Sequence, residues 1–150
     1  MKRGAACWVG LVLVCSRGAT HLSAAQPSVP VPPAQANYML NCMGCHIVDG
    51  SGAPGKVPSL RDTIVPFAVS PAGRRYLVQV PGASQSSLSD QALAQLLGWM
   101  VRNLSARSVP PDFVDFTAAE VAGYRRYPLI NVRETRARLL ALAAADRAGQ

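Results

Sequence analysis

The feature that most constrains this chain is the pentad Cys42-Met43-Gly44-Cys45-His46. Two thiols three positions apart fall on the same side of one helical turn, because a turn takes about 3.6 residues. An imidazole follows immediately. Three chemistries use this spacing. One is covalent attachment of c-type haem, in which two thioethers hold the porphyrin and the histidine takes the iron. The second is a redox dithiol of the thioredoxin kind. The third is half of a zinc site. A chance occurrence is the remaining reading. Such a dithiol sits beside a βαβ pattern, which is not visible here. A closed zinc site needs a second Cys/His pair, and none follows.

The start of the chain bears on the choice. Met1-Lys2-Arg3, an apolar run from Ala5 to Cys15 and a small-residue stretch to Gln26 have the three regions of a secretory signal peptide. Ser23-Ala24-Ala25 offers a cleavage site, so residues 1–25 are expected to be removed and the protein exported, to the periplasm or otherwise out of the cytoplasm. The apolar run has eleven residues, short of the roughly 18–20 that a membrane span needs. No transmembrane span is expected after cleavage. Cys15 is a poor lipoprotein site, because Val14 precedes it where a small residue is wanted. Cleavage discards Cys7, Cys15 and His21. Cys42 and Cys45 are then the only thiols and His46 the only histidine. A disulfide framework is excluded, although the compartment permits one. Haem c is attached outside the cytoplasm in bacteria, so export favours haem over zinc or chance. The expectation is one haem c per chain, with thioethers at Cys42 and Cys45 and His46 as the proximal iron ligand.

Charge and length exclude other classes. The chain of 150 residues is 49% hydrophobic and 15% charged, which suits one folded domain and argues against disorder. Its formal charge of +7 comes from 15 basic and 8 acidic side chains. Losing Lys2, Arg3 and Arg17 leaves 12 basic against 8 acidic, or +4. Nucleic acid is not an expected partner, because the protein is exported and carries no recognised binding motif.

The remaining sequence reads as all-α. Residues 26–33 form a Pro-rich, extended lead, and a helix is expected from Ala34. Residues 49–60 are Gly- and Pro-dense loop. Pro71 to Val80 predicts a short helix ended by Pro81-Gly82. Ser89 predicts an N-cap for a helix to Leu104 with the stripe Leu93, Leu96, Leu97, Met100 and Leu104. Thr117…Glu120 and Asn131…Glu134 read as capping boxes, predicting helices over 118–127 and 132–146. Leu139, Leu140 and Leu142 suggest that the last helix covers apolar surface, on this domain or on a partner.

Tyr38-Met-Leu-Asn-Cys42-Met-Gly-Cys45-His46-Ile-Val-Asp49-Gly50-Ser-Gly52 resembles the class I c-type cytochromes. These often carry an aromatic four residues before the first cysteine and a DGxG-like loop after the histidine. Val57-Pro58-Ser59-Leu60 resembles the family's short Pro-x-Leu loop. There a proline carbonyl accepts a hydrogen bond from the second nitrogen of the ligand histidine. The resemblance gives that role to Pro58, against the plainer reading of a turn proline. Ser89 to Leu104 resembles the family's C-terminal helix, and implies that Trp99 packs against Tyr38 across a helix crossing. The resemblance covers about residues 34–105 and implies a cytochrome c-like helical domain around the haem. Residues 106–150 match no part of the pattern and are expected as a helical C-terminal extension.

The sequence departs from the family at the second axial ligand. Members usually supply a methionine, often as Met-Pro, before the last helix. Here Val80 stands before Pro81, and valine cannot ligate iron. Met39 and Met43 are poorly placed for the distal face, Met100 reads more readily as core, and nothing singles out Lys56 or Tyr76. The distal ligand stays open. Arg61, Arg74 and Arg75 are candidate partners for haem propionates or plain surface charge. Arg125, Arg126, Arg133, Arg136 and Arg138 suggest docking to an acidic redox partner.

The leading expectation is an electron carrier with no catalytic residues of its own. It would pass electrons from a periplasmic dehydrogenase or membrane donor to an oxidase or another cytochrome. A haem-based small-ligand binder with an open distal site is the alternative, and a haem subunit of a larger dehydrogenase complex is the third.

Overall fold

The computed structural model describes residues 31–149. The expected signal peptide (1–25) and most of the Pro-rich lead (26–33) lie outside the described residues. Those residues form eight α-helices and one 3-10 turn, with no strand beyond an isolated bridge between Ala53 and Val57. The all-α expectation is met.

Helix α1 (Pro33–Asn41) and helix α2 (Met43–His46) carry the pentad. A long loop leads to α3 (Val65–Ala68) and α4 (Pro71–Gln79). Ser70 caps α4 by accepting from Gly73 N at 3.2 Å, and Pro71 sits at the first position, where its missing N–H costs nothing. Gly73 is obligatory for packing, because a Cβ there would collide with the Phe67 backbone of α3. Pro81-Gly82 does not simply end α4. Pro81 opens another turn, α5 (Pro81–Ser84), since proline's fixed φ suits a helix start. The α3 turn was not foreseen, because four residues are too few to show a periodicity.

Helix α6 (Asp90–Leu104) is the spine of the core. Ser89 accepts from Ala92 N at 3.2 Å as its cap. Leu93, Leu96, Leu97 and Met100 are buried, with Ala94, Gly98 and Val101 beside them. Helix α1 crosses α6 where Tyr38 meets Trp99, with ring centroids 5.5 Å apart. Such a pair adds about 0.5–1.5 kcal/mol beyond the area it buries.

Helix α7 (Ala118–Tyr124) comes after the turn at Ala106–Ser108, and α8 (Val132–Ala148) closes the described chain. Thr117 caps α7 by accepting from Glu120 N at 3.1 Å. Asn131 does not cap α8. Its ψ of 60° lies outside the extended range from which an N-cap side chain reaches the first-turn N–H groups, so the expected capping box is absent. Helix α7 stops at Tyr124, three residues before the expected 127, where the Arg125 side chain turns back to the 84–90 segment.

The boundary expected at 105/106 is not a boundary in the core. Phe116 and Val121 are buried in the same cluster as Tyr38, Ile64 and Leu93. Arg74 ties the two parts together. Its Nε and Nη2 each donate to a Glu120 carboxylate oxygen at 2.6 Å, and Nη1 donates to Val114 O at 2.9 Å. Its guanidinium lies 3.9 Å from the Phe116 ring centroid.

Candidate haem-attachment site

The pentad forms one turn. Cys42 O accepts from His46 N at 2.9 Å and from Cys45 N at 3.2 Å. Cys42 and Cys45 are unbridged, and both line the same cavity as His46.

The loop after the pentad fixes the imidazole. Ile47 ends the turn at φ +52°, a conformation that costs a β-branched residue of order 1–3 kcal/mol. Surrounding bonds hold it there. Tyr38 Oη, on the buried side of α1, donates to Ile47 O at 2.6 Å. Gly52 N donates to His46 O at 3.1 Å. Gly52 itself has φ +67°, and a Cβ on it would meet Val57 O at 2.5 Å and Pro58 O at 2.8 Å. Only glycine lets the loop fold this closely onto itself. Asp49 pins the loop from outside, accepting from Ser51 N at 3.0 Å and from Arg61 Nη1 at 2.8 Å. The Ser51 backbone and hydroxyl, then Arg61, hold its carboxyl below the usual carboxylate range.

This fold of the loop brings Pro58 O to 3.1 Å from His46 Nδ1. A carbonyl only accepts, so Nδ1 carries the proton and the Nε2 lone pair is left for another partner. Burial pushes the His46 pKa below its usual 6.5, and the Pro58 contact opposes that shift. The imidazole is therefore neutral near pH 7, as a metal ligand must be.

The Cys42 thiol is not activated as the nucleophile of a redox dithiol is. Burial, then the neighbouring Cys45, pushes the Cys42 thiol up to about 11. A dithiol oxidoreductase needs the opposite, a thiolate stabilised near neutral pH. Among the described residues no group of three or more His, Cys, Asp or Glu side chains converges, as a closed zinc site would require.

The cavity has a volume of 250 Å³. Most of its lining is apolar: Ile64, Phe67 and Leu77 from the middle of the chain, then Leu93, Leu96 and Leu97 from α6. Among the described residues no buried polar side-chain atom lacks a partner, so the cavity is not built around an orphaned polar group. Two thiols and one oriented imidazole line this apolar pocket, the set of groups that covalent haem attachment would use.

Val80 lines the cavity and offers no ligand atom. Of the substitutes considered, Met100 and Tyr76 also line it, and Lys56 does not. Burial raises the Tyr76 pKa above its usual 10.0, while the charge of Arg136 opposes the shift.

The arginines named as propionate partners or surface charge find partners on the chain. Arg61 pairs with Asp49 and Arg74 with Glu120, and Arg75 lies 5.2 Å over the Tyr124 ring. None of the three lines the cavity. Val132 and Arg136 of α8 do. Sequence reasoning missed both. The signal available was their i, i+4 spacing, which places them on one face, but nothing local linked that face to residues ninety positions earlier.

No protein-family model matches the chain, and no curated protein matches it.

Proposed function

We propose that this protein is an exported, class I-like c-type cytochrome that carries electrons through one covalently bound haem. The observation that carries the reading is the convergence of Cys42, Cys45 and His46 on one apolar cavity, with His46 Nδ1 held by Pro58 O. When bound, the haem supplies one-electron redox chemistry. The chain does the rest. Cys42 and Cys45 provide the thioether sulfurs. His46 presents Nε2, and Pro58 fixes its tautomer and raises its basicity. Phe67, Leu77 and the α6 leucines exclude water, which keeps the site's dielectric low and tunes the potential. Exposed Arg126, Arg133 and Arg138 have no carboxylate within 4.0 Å among the described residues and suit brief docking to an acidic redox partner, such as a dehydrogenase, another cytochrome or an oxidase.

A second reading is favoured by Val80. Its presence in the lining, where the family places methionine, suits a small-ligand binder with an open position. Carbon monoxide added to the reduced protein separates the two. A carrier whose sixth position is filled stays inert. Rapid stoichiometric binding would overturn the carrier reading in favour of the binder.

A further inference from the structure

We propose that Arg136, on the C-terminal helix, binds a carboxylate of the cavity's occupant and so fastens α8 over the cavity. The inference rests on the haem reading, in which that carboxylate is a propionate. Among the described residues five arginines have a carboxylate within 4.0 Å: Arg61, Arg74, Arg102, Arg107 and Arg125. Arg136 has none among the described residues, although it is half-buried and lines the cavity. A guanidinium lining an apolar cavity gains from an anion at hydrogen-bonding distance.

Its position is set by packing. The guanidinium lies over the Phe67 ring of the cavity wall, 5.6 Å from its centroid. The fork of donors remains for an oxygen pair, the geometry in which arginine recognises carboxylates. Among the described residues Arg136 is the one arginine or lysine in the lining. An occupant that is apolar across its plane and acidic at one edge matches a pocket of apolar walls with one guanidinium.

The same contact explains how α8 is held. No residue of this 17-residue helix is fully buried. Val132, Thr135, Arg136, Leu139, Leu140 and Ala143 form its half-buried inner face. Such a helix is weakly fastened by its own packing. An ion pair between Arg136 and the occupant would tie it down.

The test uses the exported holoprotein and three variants, R136Q, R136K and R133Q. Removing a positive charge beside the redox centre disfavours the reduced, more negative state. R136Q is therefore expected to lower the reduction potential and to speed tryptic cleavage within α8 severalfold. R136K, which keeps the charge, recovers most of both. R133Q removes the same charge from an exposed position of the same helix and leaves both near wild type. An R136Q holoprotein with wild-type potential and wild-type cleavage overturns the proposal and leaves the haem reading intact. An R133Q shift as large as that of R136Q also overturns it, since the effect is then only net charge. Wild-type protein without covalent haem absorbance overturns the haem reading and the proposal together.

Discussion

Helices α7 and α8 lie in the same C-terminal third, yet they join the molecule by different means. The shorter one, α7, is fixed at both ends by arginines whose donors are largely spent. Arg74 reaches Glu120 in its first turn, and Arg125 at its end donates to Leu88 O at 2.8 Å, Ser86 O at 2.7 Å and Asp90 Oδ1 at 2.9 Å. Val121 between them is fully buried. The longer one, α8, has seventeen residues and none buried. Its arginines 133, 136 and 138 find no carboxylate within 4.0 Å among the described residues. Length and apolar content do not decide which helix belongs to the core. Partner-making across the chain does. On this comparison α7 is structure, and α8 is a cover whose fastening depends on what the cavity holds.

Two truncations separate these roles with the largest effect. Ending the chain at residue 130 is expected to leave a cooperative thermal transition. Ending it at 105 is expected to abolish that transition, because it strips Phe116 and Val121 from the core and leaves Arg74 unpaired. Calorimetry reads both, and equal behaviour of the two would break the comparison.

Next comes R74A. It leaves the Glu120 carboxylate largely buried without its partner, since the two side chains are only 15% and 17% exposed. The expected loss is about 3 kcal/mol in urea unfolding. R133A, on the outer face of α8, is expected to stay within about 0.5 kcal/mol of wild type. A similar cost for the two would mean that α8 is held by its own packing after all.

Tyr38 gives a smaller and pH-dependent effect. Its hydroxyl donates to Ile47 O, and Y38F is expected to cost about 1 kcal/mol near pH 7. Burial, then Cys42 and Asp49, hold its pKa above the usual 10.0. Above pH 10 the unfolded chain therefore releases this proton while the folded chain keeps it. Stability is full below that pH and falls as pH rises through the folded-state value. Y38F is expected to flatten this alkaline decline, as measured by urea midpoints between pH 9 and the alkaline limit. An unchanged decline would remove Tyr38 from the support of the loop after the pentad.

The sequence was readable where its signals were local. Ser89 and the stripe from Leu93 to Leu104 marked α6, because a cap and a 3.6-residue period both act within a few turns. The proximity of His46 to Pro58 and of Tyr38 to Trp99 came from resemblance to a known pattern. Contacts joining distant residues were not readable. Arg74 and Glu120 are 46 positions apart, so nothing near Arg74 announced that it was already engaged. For the same reason Arg136 was grouped with surface charge. The backbone geometry at Asn131 was also hidden, because a capping sequence caps only when its ψ allows it.

The central claim is that Cys42 and Cys45 hold a haem covalently. The most direct measurement is the intact mass of the exported protein after denaturation in acid, from cells competent in c-type haem attachment. The predicted result is the cleaved polypeptide plus one haem for wild type, and the bare polypeptide for the C42A/C45A double variant. A wild-type mass equal to the polypeptide alone, from cells that mature another c-type cytochrome in parallel, would contradict it.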